Sequence, residues 1–251
     1  RLVDGALDAL VRHGVGVVTA LRGEVAVIHA PAVAAREGRP GQEPLRFRDD
    51  VFFWARAPFD DDTQLFAVMR RGVAPTSAAA QRIDADGLPT APETALPAAG
   101  ADSILRIIET SSGVLIGWLA DESSDPDLQE RVVRVMRATR EGRALGEPFT
   151  LPGVRAYQDA GWSMVRASGE IFVLYVEPTA GDRYGRDTRI RAQRVDDDGA
   201  PRGEPLLLAD ALFGRRVIAR TDGAGVLVAY AANGGSSNEV FTVELECVFD
   251  P

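Results

Sequence analysis

RIRAQRVDDDGAPRGEPLLLAD, residues 189–210, reads as a strand, a tight acidic turn and a second strand. Ile190, Ala192 and Arg194 alternate with Arg191, Gln193 and Val195, so the two sets project to opposite faces of an extended chain. Gly199 supplies the positive φ that a tight hairpin needs. The pattern recurs. AAAQRIDADGLPTAPETALPAAGAD at 78–102 repeats it, and VRVMRATREGRALGEPFTLPG at 133–153 and APAVAAREGRPGQEPLRFRDD at 30–50 are fainter copies. The turn glycines are then Gly38, Gly87, Gly142 and Gly199, and Phe249-Asp250-Pro251 falls where the next turn is due. A period of about 50 residues built only from short strands predicts a β-propeller.

Working outward, each unit divides into four strands. The second strands, such as VLIGWLADE and EIFVLYVEP, are near-continuous apolar runs, as strands buried on both faces are. The outer strands carry proline, which suits an edge. Residues 125–141 and 3–14 also have helical periodicity, but the register of their neighbours favours strands. The expectation is one all-β domain over 1–251, a five-bladed propeller with four antiparallel strands per blade. The blades would span about 7–50, 51–100, 101–153, 160–210 and 214–251. The last blade lacks a fourth strand, and residues 1–6 are expected to complete it and close the ring, removing an exposed sheet edge. The alternative is a piece of a larger ring.

The AQR[VI]D-x-DG-x-P pattern, carried by residues 192–201 and 80–89 and followed by a proline-containing apolar strand, resembles the degenerate repeats of secreted bacterial β-propeller proteins. The resemblance implies the fold and an exported or cell-surface location, not an activity. The chain has no Ser-x-Asp-x-Gly-x-x-Trp boxes, no Trp-Asp strand ends and no Gly-Gly doublets in register; Gly234-Gly235 is an isolated pair.

Composition removes several function classes. A net charge of −9 and a pI near 4.9 argue against a nucleic-acid partner, which needs a basic face. Every positive side chain except the two histidines is an arginine, a usage associated with GC-rich bacterial genomes. Cys247 has no partner cysteine, so it is a buried thiol or a link to another chain. No apolar run reaches 18 residues, so no membrane-spanning helix is expected, and no signal peptide is visible. His13 and His29 are too few for a soft-metal site or a nucleophilic triad. Gly223-Ala224-Gly225 precedes a strand, so it is a turn and not a phosphate loop.

One recurrence carries possible chemistry. Asp4, Asp50, Asp102, Asp159 and Asp210 stand just before, or at the start of, each inner strand, where a propeller gathers its connections around one mouth of the central channel. Three readings stand side by side. The aspartates hydrogen-bond backbone N–H groups between blades, or they hold a hard cation such as Ca²⁺. In the third, Asp50, Asp102, Asp159 and Asp210 include an acid and a base for glycoside cleavage, which five-bladed rings support by fold-level analogy. Asp210 is expected to line such a site, with the AQRVD motif structural. Trp162, beside Asp159, is the candidate sugar platform; Trp54 and Trp118 are expected in the core. Loops 121–127, 178–187 and 233–238 should share the mouth and present it to a protein or glycan. Asp60–Asp62 and Asp196–Asp198 fall at the opposite end as solvated turns. The leading expectation is a non-enzymatic binding or scaffold module; the alternative is a glycosidase-like hydrolase, and a third is a subunit of a larger assembly.

Overall fold

The computed structural model describes residues 51–70, 77–97, 105–120, 130–157, 161–179, 187–212, 215–221, 225–233 and 238–246. They form fifteen strands in four antiparallel meanders. The first sheet runs β1 (Val51–Pro58), β2 (Gln64–Arg70), β3 (Ser77–Ile83), β4 (Thr94–Leu96). The second runs β5 (Arg106–Thr110), β6 (Gly113–Ala120), β7 (Glu130–Ala138), β8 (Phe149–Tyr157). The third runs β9 (Ser163–Ala167), β10 (Glu170–Pro178), β11 (Asp187–Val195), β12 (Pro201–Leu212). The fourth has three strands, β13 (Arg215–Thr221), β14 (Gly225–Asn233) and β15 (Asn238–Glu246).

The fold is an all-β propeller. The first strands of successive sheets, β1 to β5, β5 to β9 and β9 to β13, touch along the inside of the arc. The four sheets match the predicted blades at 51–100, 101–153, 160–210 and 214–251. Four sheets, not five, are present among the described residues; the predicted blade at 7–50 and the closing strand at 1–6 lie outside them. Glu130–Ala138, ambiguous by periodicity, is a strand.

Three apolar layers hold the sheets face to face. Leu65, Ala67 and Ala80 meet Ile116, Trp118 and Met136 between the first and second sheets. Leu115, Val133 and Val135 meet Trp162, Ile171 and Val173 between the second and third. Leu174, Val176 and Ile190 meet Val217, Val226 and Val228 between the third and fourth. β6 and β10 are therefore buried on both faces, as their runs predict. β14 departs from that expectation. Its odd-numbered face is open, with Leu227 50% exposed beside Ile218 at 59% and Val240 at 75%.

The repeat motif now has a physical account. Asp84 and Asp196 each accept, on Oδ1, the N–H groups two and four residues ahead, at 2.8–3.0 Å. Thr139 does the same through Oγ1 at 3.2 and 3.4 Å. Each turn closes with a backbone bond from its glycine, Gly87, Gly142 or Gly199, whose φ is 78°, 85° or 83°. Two of these glycines are also required by space. A Cβ on Gly142 would stand 2.8 Å from Ala80 Cβ, and one on Gly199 would stand 2.7 Å from Phe149 Cζ. The turns of the second and third sheets thus press on the preceding sheet.

The acidic turns are not simply solvated. Arg82 donates to Glu141 at 2.8 Å, and Arg137 donates to Asp198 at 3.0 Å. Both arginines stand five residues before their turn glycine, and both acids immediately before the next sheet's. Arg82 also reaches Asp61 at 2.5 Å and Thr63 Oγ1 at 2.9 Å. The Arg82 and Arg140 guanidinium groups both lie over Phe59, 5.4 and 5.1 Å from its ring centroid. This end of the arc is a chain of inter-sheet ties.

Candidate functional site

The opposite end is where inner strands begin, and it is where the sequence places its candidate acids. Of these, Asp210 is described. It sits within β12, the outermost strand of the third sheet, in register with Arg189 of β11 and 3.5 Å from its Nε. An open cavity of about 340 Å³ adjoins it, lined by Thr179, Asp187, Thr188, Arg189, Asp210 and Ala211. Asp210 thus stands at the rim of the sheet, away from the inner strands. Asp4, Asp50, Asp102 and Asp159 lie outside the described residues, as do most of loops 121–127, 178–187 and 233–238. Among the described residues no group of three or more His, Cys, Asp or Glu side chains forms a metal site.

Trp162 is fully buried and belongs to the layer between the second and third sheets. Its ring closes on Gly117, where an added Cβ would stand 2.6 Å from Cη2. It offers no open face for a sugar to stack on. Trp118 is a core residue as expected.

Sequence reading missed Arg106, the first residue of β5. Burial alternates along that strand. Leu105 and Ile107 pack toward the first sheet, whereas Ile108 packs toward the third. Arg106 shares the Ile108 face, and its guanidinium carbon lies 6.0 Å from the Trp162 ring centroid. Nη1 donates to the Leu105 carbonyl at 3.0 Å. Burial pulls the guanidinium pKa down to about 10, so it stays cationic at neutral pH. Arg106 pairs with Gly117, and β6 continues three residues further, to Ala120. The Arg106 backbone is thus three residues short of the end of β6, and its side chain lies over Trp162 in the layer between the second and third sheets. A signal for it was available: a positive charge directly before the apolar pair Ile107-Ile108 of an inner strand.

Ser163, the first residue of β9, is buried and accepts the Ala219 N–H at 3.3 Å, tying the third sheet to the fourth at this level. Tyr175 is also buried; burial first, then the Glu177 carboxylate, pushes its pKa up to about 12 against the opposing pull of Arg191. Glu177 is held by Arg191 at 2.5 Å. These groups are neutral or internally paired at pH 7. Arg106 is the described residue at this end that combines charge, depth and donor capacity.

No protein-family model matches the chain, and no curated protein matches it. Solved structures do. An α-L-arabinofuranosidase from Fusarium graminearum, in complex with an iminosugar inhibitor, superposes with a TM-score of 0.54 at 11% identity over 81% of this chain and 65% of its own. An endo-arabinase from Bacteroides thetaiotaomicron gives 0.45 at 13% identity, covering 78% and 74%. An α-L-arabinofuranosidase from Podospora anserina, in complex with cellotriose, gives 0.43 at 8% identity, covering 80% and 73%. This chain spans less than two thirds of the Fusarium enzyme. The likeness to that enzyme is one of fold. No helix among the described residues is long and apolar enough to cross a membrane.

Proposed function

We propose that this propeller is a glycoside hydrolase acting at the end of the ring where the inner strands begin. The supporting observation is the recessed cation Arg106, set over Trp162 on an inner strand. It lies four residues after Asp102, and Trp162 lies three residues after Asp159. Asp50, Asp102 and Asp159 are the candidate acid and base. Glycoside cleavage needs one carboxyl to protonate the leaving oxygen and a second to attack or to activate water, within about 5–10 Å of the first. The fold shared with an arabinofuranosidase that binds an iminosugar supports this reading over a bare scaffold. A polysaccharide substrate is in keeping with an exported protein.

The test is turnover of arabinan, galactan and nitrophenyl glycosides by the intact chain and by Asp50→Asn, Asp102→Asn and Asp159→Asn. The expected result is hydrolysis that falls by two or more orders of magnitude in two of the three variants, since each removes a proton-transfer or nucleophilic group. Hydrolysis that survives all three would remove these roles.

A second reading, a glycan-binding module without turnover, rests on a separate observation. The acids of the hairpin end are committed to turns and ion pairs, as with Asp84, Asp196, Glu141 and Asp197. It predicts saturable glycan binding with no product after prolonged incubation.

A further inference from the structure

We infer that Arg106 recognises a carboxylate on the glycan, so that the ligand class is an acidic sugar. The inference rests on the proposed glycan site and assigns its substrate class. A guanidinium carries five N–H donors. Among the described residues the acceptor of Arg106 is one backbone carbonyl, Leu105, and no Asp or Glu lies in ion-pair reach. Its surroundings are apolar: Leu105 and Trp162 are fully buried and Ile108 is nearly so. A half-buried cation over an aromatic ring calls for compensation, because shielding a charge from water without a partner is costly. The ring supplies part of it through its quadrupole. The remaining donors form a planar fork, the geometry that takes a carboxylate in two parallel hydrogen bonds.

Trp162 provides the readout, because a charge change at 6.0 Å from its ring alters indole emission. The probes are trigalacturonate, its carboxyl-reduced neutral counterpart and a sulfated galactan oligosaccharide, titrated against the intact chain. Wild-type protein is expected to bind trigalacturonate about tenfold or more tightly than the reduced sugar, a difference of one charge-assisted pair. Arg106→Met, which keeps an apolar stem over Trp162, should abolish that ratio, while Arg106→Lys should keep part of it. Equal affinity of wild type for the acidic and reduced sugars overturns the inference. So does a ratio that survives in a folded Arg106→Met, or tighter binding of the sulfated sugar than of the uronate. If Arg106→Met and Asp102→Asn or Asp159→Asn lose stability non-additively with the ratio unchanged, Arg106 is an internal partner and the inference also fails. Should Arg106→Met not fold, Arg106→Lys and Arg106→Gln carry the same comparison. Binding needs no turnover, so the two proposals separate. Arg106-dependent acid selectivity without hydrolysis upholds the inference and removes the hydrolase reading. Hydrolysis of neutral glycosides indifferent to Arg106 does the reverse.

Discussion

The second and third sheets solve one problem with opposite charges. In the second, Glu109 on the inner strand pairs with Arg140 in the β7–β8 turn. In the third, Arg166 on the inner strand pairs with Asp197 in the β11–β12 turn. The positions correspond: Glu109 and Arg166 each precede the last paired residue of the inner strand, and Arg140 and Asp197 each stand two residues before the turn glycine. The sign has been exchanged while the attraction has been kept. Opposition is what the site requires, so the pair is architectural. Each pair also reaches the preceding sheet: Arg140 comes within 3.8 Å of Asp60, and Asp197 accepts the Ser111 N–H at 2.9 Å. The lesson extends to the two ends of the arc. At the hairpin end charges come in matched, repeated pairs. At the end where the inner strands begin, Arg106 has no such counterpart among the described residues, which is why chemistry is sought there.

The comparison can be broken where the sheets share geometry. Gly199→Ala should cost about 3 kcal/mol, combining a left-handed backbone penalty with a Cβ driven against Phe149. Gly169→Ala shares the positive φ but meets nothing within 4 Å, so it should cost about 1 kcal/mol. Urea unfolding of the two variants gives the difference; equal losses would mean that the turn does not press on the second sheet.

Next comes a position the sheets do not share. Gln193 is buried and its amide donates to the carbonyls of Arg194, Arg202 and Gly203 across an irregularity in the β11–β12 ladder. Its counterpart is Met136, buried between the first two sheets. Met136→Gln should cost about 2 kcal/mol or more by burying an amide among apolar groups, and Gln193→Met about 1–2 kcal/mol by stranding carbonyls. Unlike the charges, these two should not be interchangeable; a stable double exchange would refute that.

The exchanged pair itself predicts a rescue. Arg166→Glu should lose about 1 kcal/mol, and adding Asp197→Arg should recover at least half of it. A double-mutant cycle with no coupling would show that the exchange of signs carries no stability.

The smallest effect is in pH. Burial pushes the Asp197 carboxyl up, but the Ser111 hydrogen bonds and Arg166 outweigh it and hold the pKa at about 2. The folded value is below the unfolded one near 4, so its contribution is present above pH 4 and is lost as pH falls from about 4 to 2. With a third of the side chain exposed, screening limits that contribution to about 1 kcal/mol. Asp197→Asn should flatten the acid limb of the stability profile over that window; an unchanged limb would place the acid sensitivity elsewhere.

Strand content, the hairpin turns and four blade boundaries were legible in the residues, because they follow from local rules. Alternation sets strand faces, glycine sets turns, and a 50-residue period sets the blade. Asp84 and Asp196 announced themselves as turn residues for the same reason. Three things were not legible. Trp162 looked available from its neighbour Asp159, yet its exposure depends on Gly117, 45 residues away in sequence. Asp210 looked like a channel residue, yet register with Arg189 puts it on the outer strand. Arg106 looked ordinary, since its isolation depends on which face of β5 meets the third sheet. The sequence by itself determined a repeating β-structure of propeller period. Only the tertiary structure decided which charges cancel and that, among the described residues, Arg106 has no acidic partner, because pairing depends on distances between sheets, and those are set by packing rather than by the order of residues along the chain.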